Sequence, residues 1–227
     1  MSTAVAASTE YGWTTGQLGV SQRYNLQPML DLAGPLGEGT RVLDLGCGNG
    51  VIAREFASRG CTVVGIDPGD RSREFFEAEA AKHPARDRLR FVQDEGSLGA
   101  VDRLLSGGEA PFDVAISSQV IEHVYDPWDF CRACVAGVKP GGRVVISTPY
   151  HGFLKNLLLS LTNRWDKHHT TLKTGMHIKF FSRATLSTLM SRCGLESLEF
   201  RGIGRYPGLW RSMAIAGRRG PGAGDGG

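Results

Sequence analysis

From Asp44 to Gly50 the chain reads Asp-Leu-Gly-Cys-Gly-Asn-Gly, and the spacing of Gly46, Gly48 and Gly50 is its strongest chemical signal. Glycine has no Cβ and tolerates positive φ, so a ligand can lie directly against such a loop. A dinucleotide-binding G-x-G-x-x-G would carry its third glycine at position 51, where Val51 stands, so the pyrophosphate-binding version is absent. Asp67, in Gly65-Ile66-Asp67-Pro68, comes 17 residues after Gly50, about one helix and one strand later. A carboxylate at the end of a second strand can accept both hydroxyls of a ribose. Asp94 and Glu95 follow the next apolar run, where a side chain can hydrogen-bond an adenine amino group. Any one of these acids could be a helix cap or loop residue. Three acidic positions on successive strand ends point to a nucleoside-binding crevice.

Other residues could act on a second ligand. His123 titrates near neutral pH and is the candidate general base for a neutral hydroxyl, its competing reading being a histidine bonded to nearby loop backbone. The stretch from Asn163 to Phe181 mixes aromatic and basic residues with Asp166 as its one acid. Arg164, Lys167, His168, His177 and Lys179 are candidates for gripping a carboxylate, phosphate, phosphonate or polyhydroxylated acceptor, Arg by bidentate contact and Lys as a point charge. The competing reading is a solvated charged face. His151, His168, His169 and His177 as metal ligands lack matched acidic partners, and Cys131-x-x-Cys134 lacks a second ligand pair, so no metal is expected. The two cysteines read as small core residues on one helix face.

Near-continuous apolar runs at Arg41 to Leu45, Thr62 to Ile66, Leu89 to Val92, Phe112 to Ser117 and Arg143 to Thr148 have the character of parallel strands covered on both faces. Helix-compatible patterns at Val51 to Ser58, Arg71 to Lys82, Val101 to Leu105 and Pro127 to Val138 alternate with them, and Pro140-Gly141-Gly142 reads as a turn before the fifth strand. Beyond it, His151 to Leu161 reads as an amphipathic helix giving a lid its core face, and Ser182 to Cys193 as a helix capped by Ser182. Leu195 to Arg201 and Ser212 to Gly217 read as late strands. The expected architecture is a doubly wound α/β fold. It places one domain over residues 13–219, with 150–181 as an acceptor-binding cover, a mobile start over 1–12 and a disordered Gly-rich tail over 220–227.

The motif series Asp44-Leu45-Gly46-Cys47-Gly48-Asn49-Gly50, Gly65-Ile66-Asp67, Phe112-Asp113-Val114-Ala115, Val120-Ile121-Glu122-His123-Val124 and Lys139-Pro140-Gly141-Gly142 resembles that of class I S-adenosylmethionine-dependent methyltransferases. The resemblance spans about Arg41 to Gly217 and is nearest to small-molecule O-methyltransferases related to the ubiquinone-pathway enzymes. It implies a Rossmann-like seven-stranded sheet with a reversed last strand, and S-adenosyl-L-methionine as cofactor. By the same resemblance, Gly46, Gly48 and Gly50, with Cys47 between them, line the methionine portion. Asp67, followed by Pro68, holds the ribose, with Asp94 and Glu95 nearby. Gln119 supplies backbone near the amino group, which Asp44 orients. Arg23, in a pre-sheet helix, meets the carboxylate, and Tyr24 beside it is an acceptor contact. The chain departs from the quinone-directed enzymes after Pro149, so their substrate does not carry over.

The implied activity is in-line methyl transfer to an oxygen of a small polar or anionic metabolite. The alternatives are nitrogen transfer to an amine, amino sugar or peptide, and, in another class, a non-catalytic cofactor-binding module. The intact loop from Asp44 to Gly50 argues against the module, and Val51 against a nicotinamide-dependent dehydrogenase. A net charge of +3 with 41% hydrophobic residues, and no appended basic domain, argues against a nucleic-acid partner. The sequence contains no apolar run of membrane-spanning length and no secretory leader at its start, so cytoplasmic residence without membrane anchoring is expected, with a homodimer left open.

Overall fold

The computed structural model describes residues 20–169, 172 and 175–221. The expected mobile start and all but the first two residues of the expected tail lie outside these. Gly220 donates its N–H to Gly194 O at 3.0 Å. Seven strands, β1 (Arg41–Leu45), β2 (Thr62–Ile66), β3 (Leu89–Val92), β4 (Phe112–Ser118), β5 (Val138–Pro149), β6 (Leu195–Ile203) and β7 (Ser212–Arg219), form one sheet in the order β3-β2-β1-β4-β5-β7-β6. The first five strands pair in parallel, while β7 lies antiparallel between β5 and β6.

Strands such as β1 are apolar throughout because successive side chains enter different cores: Val42 joins one apolar cluster and Leu43 the other, both fully buried. On one face lie α1 (Val20–Ala33), with Met29 and Leu32, and α2 (Val51–Ala57), with Phe56, beside Phe76 of α3 (Asp70–Ala81). On the other lie Val101 of α4 (Leu98–Ser106), Phe130 of α5 (Pro127–Gly137) and Leu186 of α8 (Arg183–Arg192). Asp126 caps α5 by accepting from the N–H groups of Trp128 and Asp129, and Ser182 caps α8 through a reciprocal bond pair with Thr185. Cys131 and Cys134 are fully buried in this layer, as their apolar spacing implies.

Two local expectations are corrected. Lys139 to Gly142 does not end an element before β5. It is accommodated inside the strand, since Phe112 pairs with Val138 and Val114 with Arg143, so a bulge containing Gly141 at φ 76° sits opposite Asp113. The helix α6 (Phe153–Leu161) supplies no core face: it has no buried residue, and Phe153 and Leu161 are 82% and 73% exposed. A short helix α7 (Trp165–His169), absent from the sequence reading, continues the cover beyond it.

Candidate functional site

The sheet order changes direction between β1 and β4, and two loops meet at the carboxyl edge there. After β1, Gly46, Gly48 and Gly50 all have positive φ, at 77°, 52° and 70°. Gly46 and Cys47 donate their N–H groups to Ile66 O at 2.8 and 3.1 Å, folding the loop over the end of β2. A Cβ on Gly46 would overlap the Val120 side chain, and one on Gly50 the Phe76 ring. Cys47 is nearly buried, with Sγ packed over Gly65, so its backbone rather than its thiol is available to a ligand. Burial, then the charges of Asp44 and Asp67, push that thiol's pKa up.

Asp67 ties the two strand ends together. Its Oδ2 accepts the Gly48 N–H and its Oδ1 the Gly69 N–H, both at 3.0 Å. Each oxygen keeps a second lone pair, which the half-buried setting leaves reachable by a vicinal diol. Asp44 is buried on β1, and its Oδ2 has no hydrogen-bond partner among the described residues. Burial, reinforced by the charge of Asp67, raises its pKa to about 8. An acid in that state favours a cation brought beside it. Gln119 sits at φ 59°, donates its N–H to Ser147 O at 2.9 Å, and has an unpartnered Nε2 among the described residues. A diol acceptor, a buried acid and a positive-φ glycine loop fit the ribose, amino and methionine portions of S-adenosylmethionine.

The other expected cofactor residues are exposed or have partners of their own. Asp94 is engaged in a forked ion pair with Arg103, at 2.7 and 2.8 Å, and Glu95 is exposed. Pro68 is exposed, its carbonyl accepting from Gln93 at 3.5 Å. Arg23 and Tyr24 are exposed on α1, the Tyr24 ring facing the Arg211 guanidinium at 5.8 Å. Asn25 beside them is fully buried with neither amide atom partnered among the described residues, a ligand-facing signature that the sequence reading missed. Arg54, also missed, reaches from α2 to donate to Asn49 O at 2.9 Å and steadies the glycine loop from behind.

Past β4, Glu122 and His123 form the second half of the site. Glu122 is 1% exposed, and its Oε2 accepts from the Thr148 hydroxyl of β5 at 2.9 Å. Burial raises its pKa to about 8. Its backbone carbonyl accepts the N–H groups of both Ile178 and Lys179, at 2.8 and 3.0 Å. That clamp brings His177 against His123, with ring centroids 5.0 Å apart. Burial lowers the pKa of His123, and burial followed by the neighbouring His123 takes His177 down to about 4, so both rings are neutral at pH 7. A pocket of about 490 Å³ adjoins them, lined by Trp165, His169, Met176, His177, Ile178 and Phe180.

The expected basic grip is dispersed. Arg164 and Lys167 are exposed and, among the described residues, pair with no carboxylate, while Lys179 is half-buried beside the clamp. His168 packs instead with His151 and His169, at ring distances of 5.7 and 4.9 Å, beside Phe180 and Trp165. Burial is the main cause that lowers His168 and His151 to about 4. The cover is therefore an aromatic and imidazole surface, with Arg164 and Lys167 toward solvent while Lys155, whose Nζ donates to Tyr150 O at 2.8 Å, and Lys179 are half-buried. Glu122 was visible in the sequence only as the residue before His123, because nothing local marks an acid as buried.

The family model described as a methyltransferase domain matches residues 21–199. A ubiquinone biosynthesis O-methyltransferase of Paracidovorax citrulli is 32% identical over 83% of this chain and 76% of its own length. One from Caulobacter sp. is 35% identical, but over 49% of this chain and only 41% of that protein. Among solved structures, an O-methyltransferase family protein from Burkholderia thailandensis superposes with TM-score 0.65 at 19% identity, covering 86% of this chain and 56% of the other. A geranyl diphosphate C-methyltransferase from Streptomyces coelicolor gives 0.65 at 16% identity, over 87% and 79%. A phosphoethanolamine N-methyltransferase from Haemonchus contortus gives 0.61 at 18%, over 86% and 52%. One sheet thus serves oxygen, carbon and nitrogen acceptors in those proteins, and the acceptor must be argued from the cover. With the glycine loop, Asp67 and the reversed β7 in place, the chain belongs to the methyltransferase domain family and has the class I fold.

Proposed function

We propose that this protein transfers a methyl group from S-adenosylmethionine to an oxygen of a small acceptor held under the cover formed by residues 150–181. The observation that carries the reading is the juxtaposition, at one sheet edge, of the Asp67-clamped glycine loop with the Glu122–His123–His177 cluster and its pocket. The curated relatives' names support oxygen as the acceptor atom. Aromatic and imidazole walls favour an acceptor with a flat or apolar body and a polar reacting end. This refines the anionic acceptor of the sequence reading, since Arg164 and Lys167 face solvent.

When bound, the sulfonium supplies an already activated methyl group. The protein's part is to orient the acceptor in line and exclude water, an effect that contributes roughly 7 to 11 kcal/mol in well-oriented systems. Asp67 and the glycine loop fix the donor side. Trp165, Phe180 and Ile178 present the acceptor side, next to the cluster at His123 where the acceptor's hydroxyl is activated. Calorimetric titration with S-adenosylmethionine and S-adenosylhomocysteine tests the class. Methylation of paired hydroxy and amino analogues of one aromatic scaffold tests the acceptor atom. Absence of binding by either nucleoside would end the proposal, and transfer to the amines alone would move it to nitrogen.

A further inference from the structure

The buried acid beside two neutral imidazoles has a use beyond proton transfer. One ligand atom each from Glu122, His123 and His177 lies within 4.8 Å of the others. The sequence reading set aside a metal because its histidines had no acidic partner. The fold supplies one, since His177 meets Glu122 as well as lying near His168 and His169.

Three independent features support a cation there. First, Glu122 Oε1 is buried with no hydrogen-bond partner among the described residues. A buried carboxyl oxygen left in that condition is costly and is normally satisfied by a donor or an ion. Second, two of the donors are held: Thr148 fixes the other Glu122 oxygen, and the Glu122 carbonyl anchors Ile178 and Lys179 next to His177. Orienting bonds of this type are what metal-binding histidines and carboxylates require. Third, His177 also lines the pocket, so a fourth coordination position is accessible to a small molecule. Two imidazoles, one carboxylate and an open position make a catalytic zinc donor set. Zinc bonds of about 2.0 to 2.2 Å require the donors to close by about an ångström, within reach of small side-chain rotations.

We propose that Glu122, His123 and His177 bind one divalent cation of the zinc type, whose open position takes the acceptor's hydroxyl. The binding claim stands by itself, while the role in acceptor activation rests on the methyl-transfer reading. In that role the acceptor O–H bond breaks on coordination and its proton leaves through the pocket to water. The oxygen's electron pair then forms the O–C bond as the C–S bond breaks, and sulfur keeps the electron pair of the broken C–S bond as a neutral thioether.

The test uses the full chain, stripped of metal with a chelator and titrated with Zn²⁺ against a chromogenic competitor. One zinc per chain is expected, with Glu122→Gln and His177→Ala each weakening it by at least about tenfold. His83→Ala, which alters a histidine at the opposite sheet edge, should bind as wild type. S-adenosylhomocysteine titrations on the same samples show whether each variant is folded and keep the cofactor reading separate. Should both variants fail to fold, the wild type decides by itself, through stoichiometry and a Zn²⁺-dependent rise in melting temperature. Substoichiometric zinc in the wild type, or undiminished affinity in folded variants, would overturn the site while leaving methyl transfer intact.

Discussion

Replacing Asp67 by Ala has two separable consequences, because its carboxylate does two jobs. In the protein alone it accepts the N–H groups of Gly48 and Gly69 at 3.0 Å each. Both are part-buried, so their loss should cost about 1 to 2 kcal/mol in stability. On the proposed reading, its remaining lone pairs would accept the two ribose hydroxyls in the complex. Charge-assisted bonds contribute about 1.5 to 3 kcal/mol each, so losing two should weaken S-adenosylhomocysteine binding by about 10²- to 10⁴-fold. Calorimetric titration measures the second quantity and urea denaturation the first. Asp67→Asn should fall between, since the amide keeps one accepting oxygen but turns an NH₂ toward a backbone N–H. An affinity within about threefold of wild type in folded Asp67→Ala would refute the placement of the ribose at β2. Weakened affinity without any stability loss would instead refute the backbone clamp.

Asp44, at a pKa of about 8, is protonated in the free protein at pH 7, and an ammonium group beside it would lower that pKa. Cofactor binding at pH 7 should therefore release close to one proton, seen as a dependence of the calorimetric heat on buffer ionisation and abolished in Asp44→Asn. His151, lowered to about 4, is protonated more readily in the unfolded chain, so its contribution to stability should fall as pH drops from about 6.5 toward 4. Urea midpoints at pH 7 and pH 5 should accordingly converge in His151→Asn, and an unchanged difference would count against its burial. Gly46→Ala forces a side chain into positive φ and against Val120, and should destabilise the fold by about 2 to 4 kcal/mol in urea. Arg164→Met should leave stability within about 0.5 kcal/mol and acceptor kinetics near normal, whereas Trp165→Ala should raise the acceptor KM; the reverse pattern would restore the basic-grip reading.

The donor half of the site is written in local sequence because its geometry is local. Positive φ at three closely spaced positions selects glycine, and a carboxylate one strand further along must lie beside them once β1 and β2 pair in register. The first four strands and the cap of α8 were legible for the same reason, since apolar runs and a Ser before a helix act over a few residues. The bulge at Lys139 to Gly142 was not, as Pro-Gly-Gly encodes a backbone irregularity without saying whether a neighbouring strand absorbs it.

The acceptor half was decided by tertiary contacts. Glu122 and His177 lie more than fifty residues apart, and tertiary backbone bonds such as those of Ile178 and Lys179 to the Glu122 carbonyl bring them together. Asp94 pairs with Arg103 of α4, a contact that the local sequence does not announce. In the cover Arg164 and Lys167 face solvent, while His151 and His177 are taken down to about 4 mainly by burial, because desolvating a cation costs more than burying a neutral ring. Residue type and spacing thus determined where the glycine loop and Asp67 lie, and burial, which no short stretch of sequence encodes, decided which acids and histidines gather past β4.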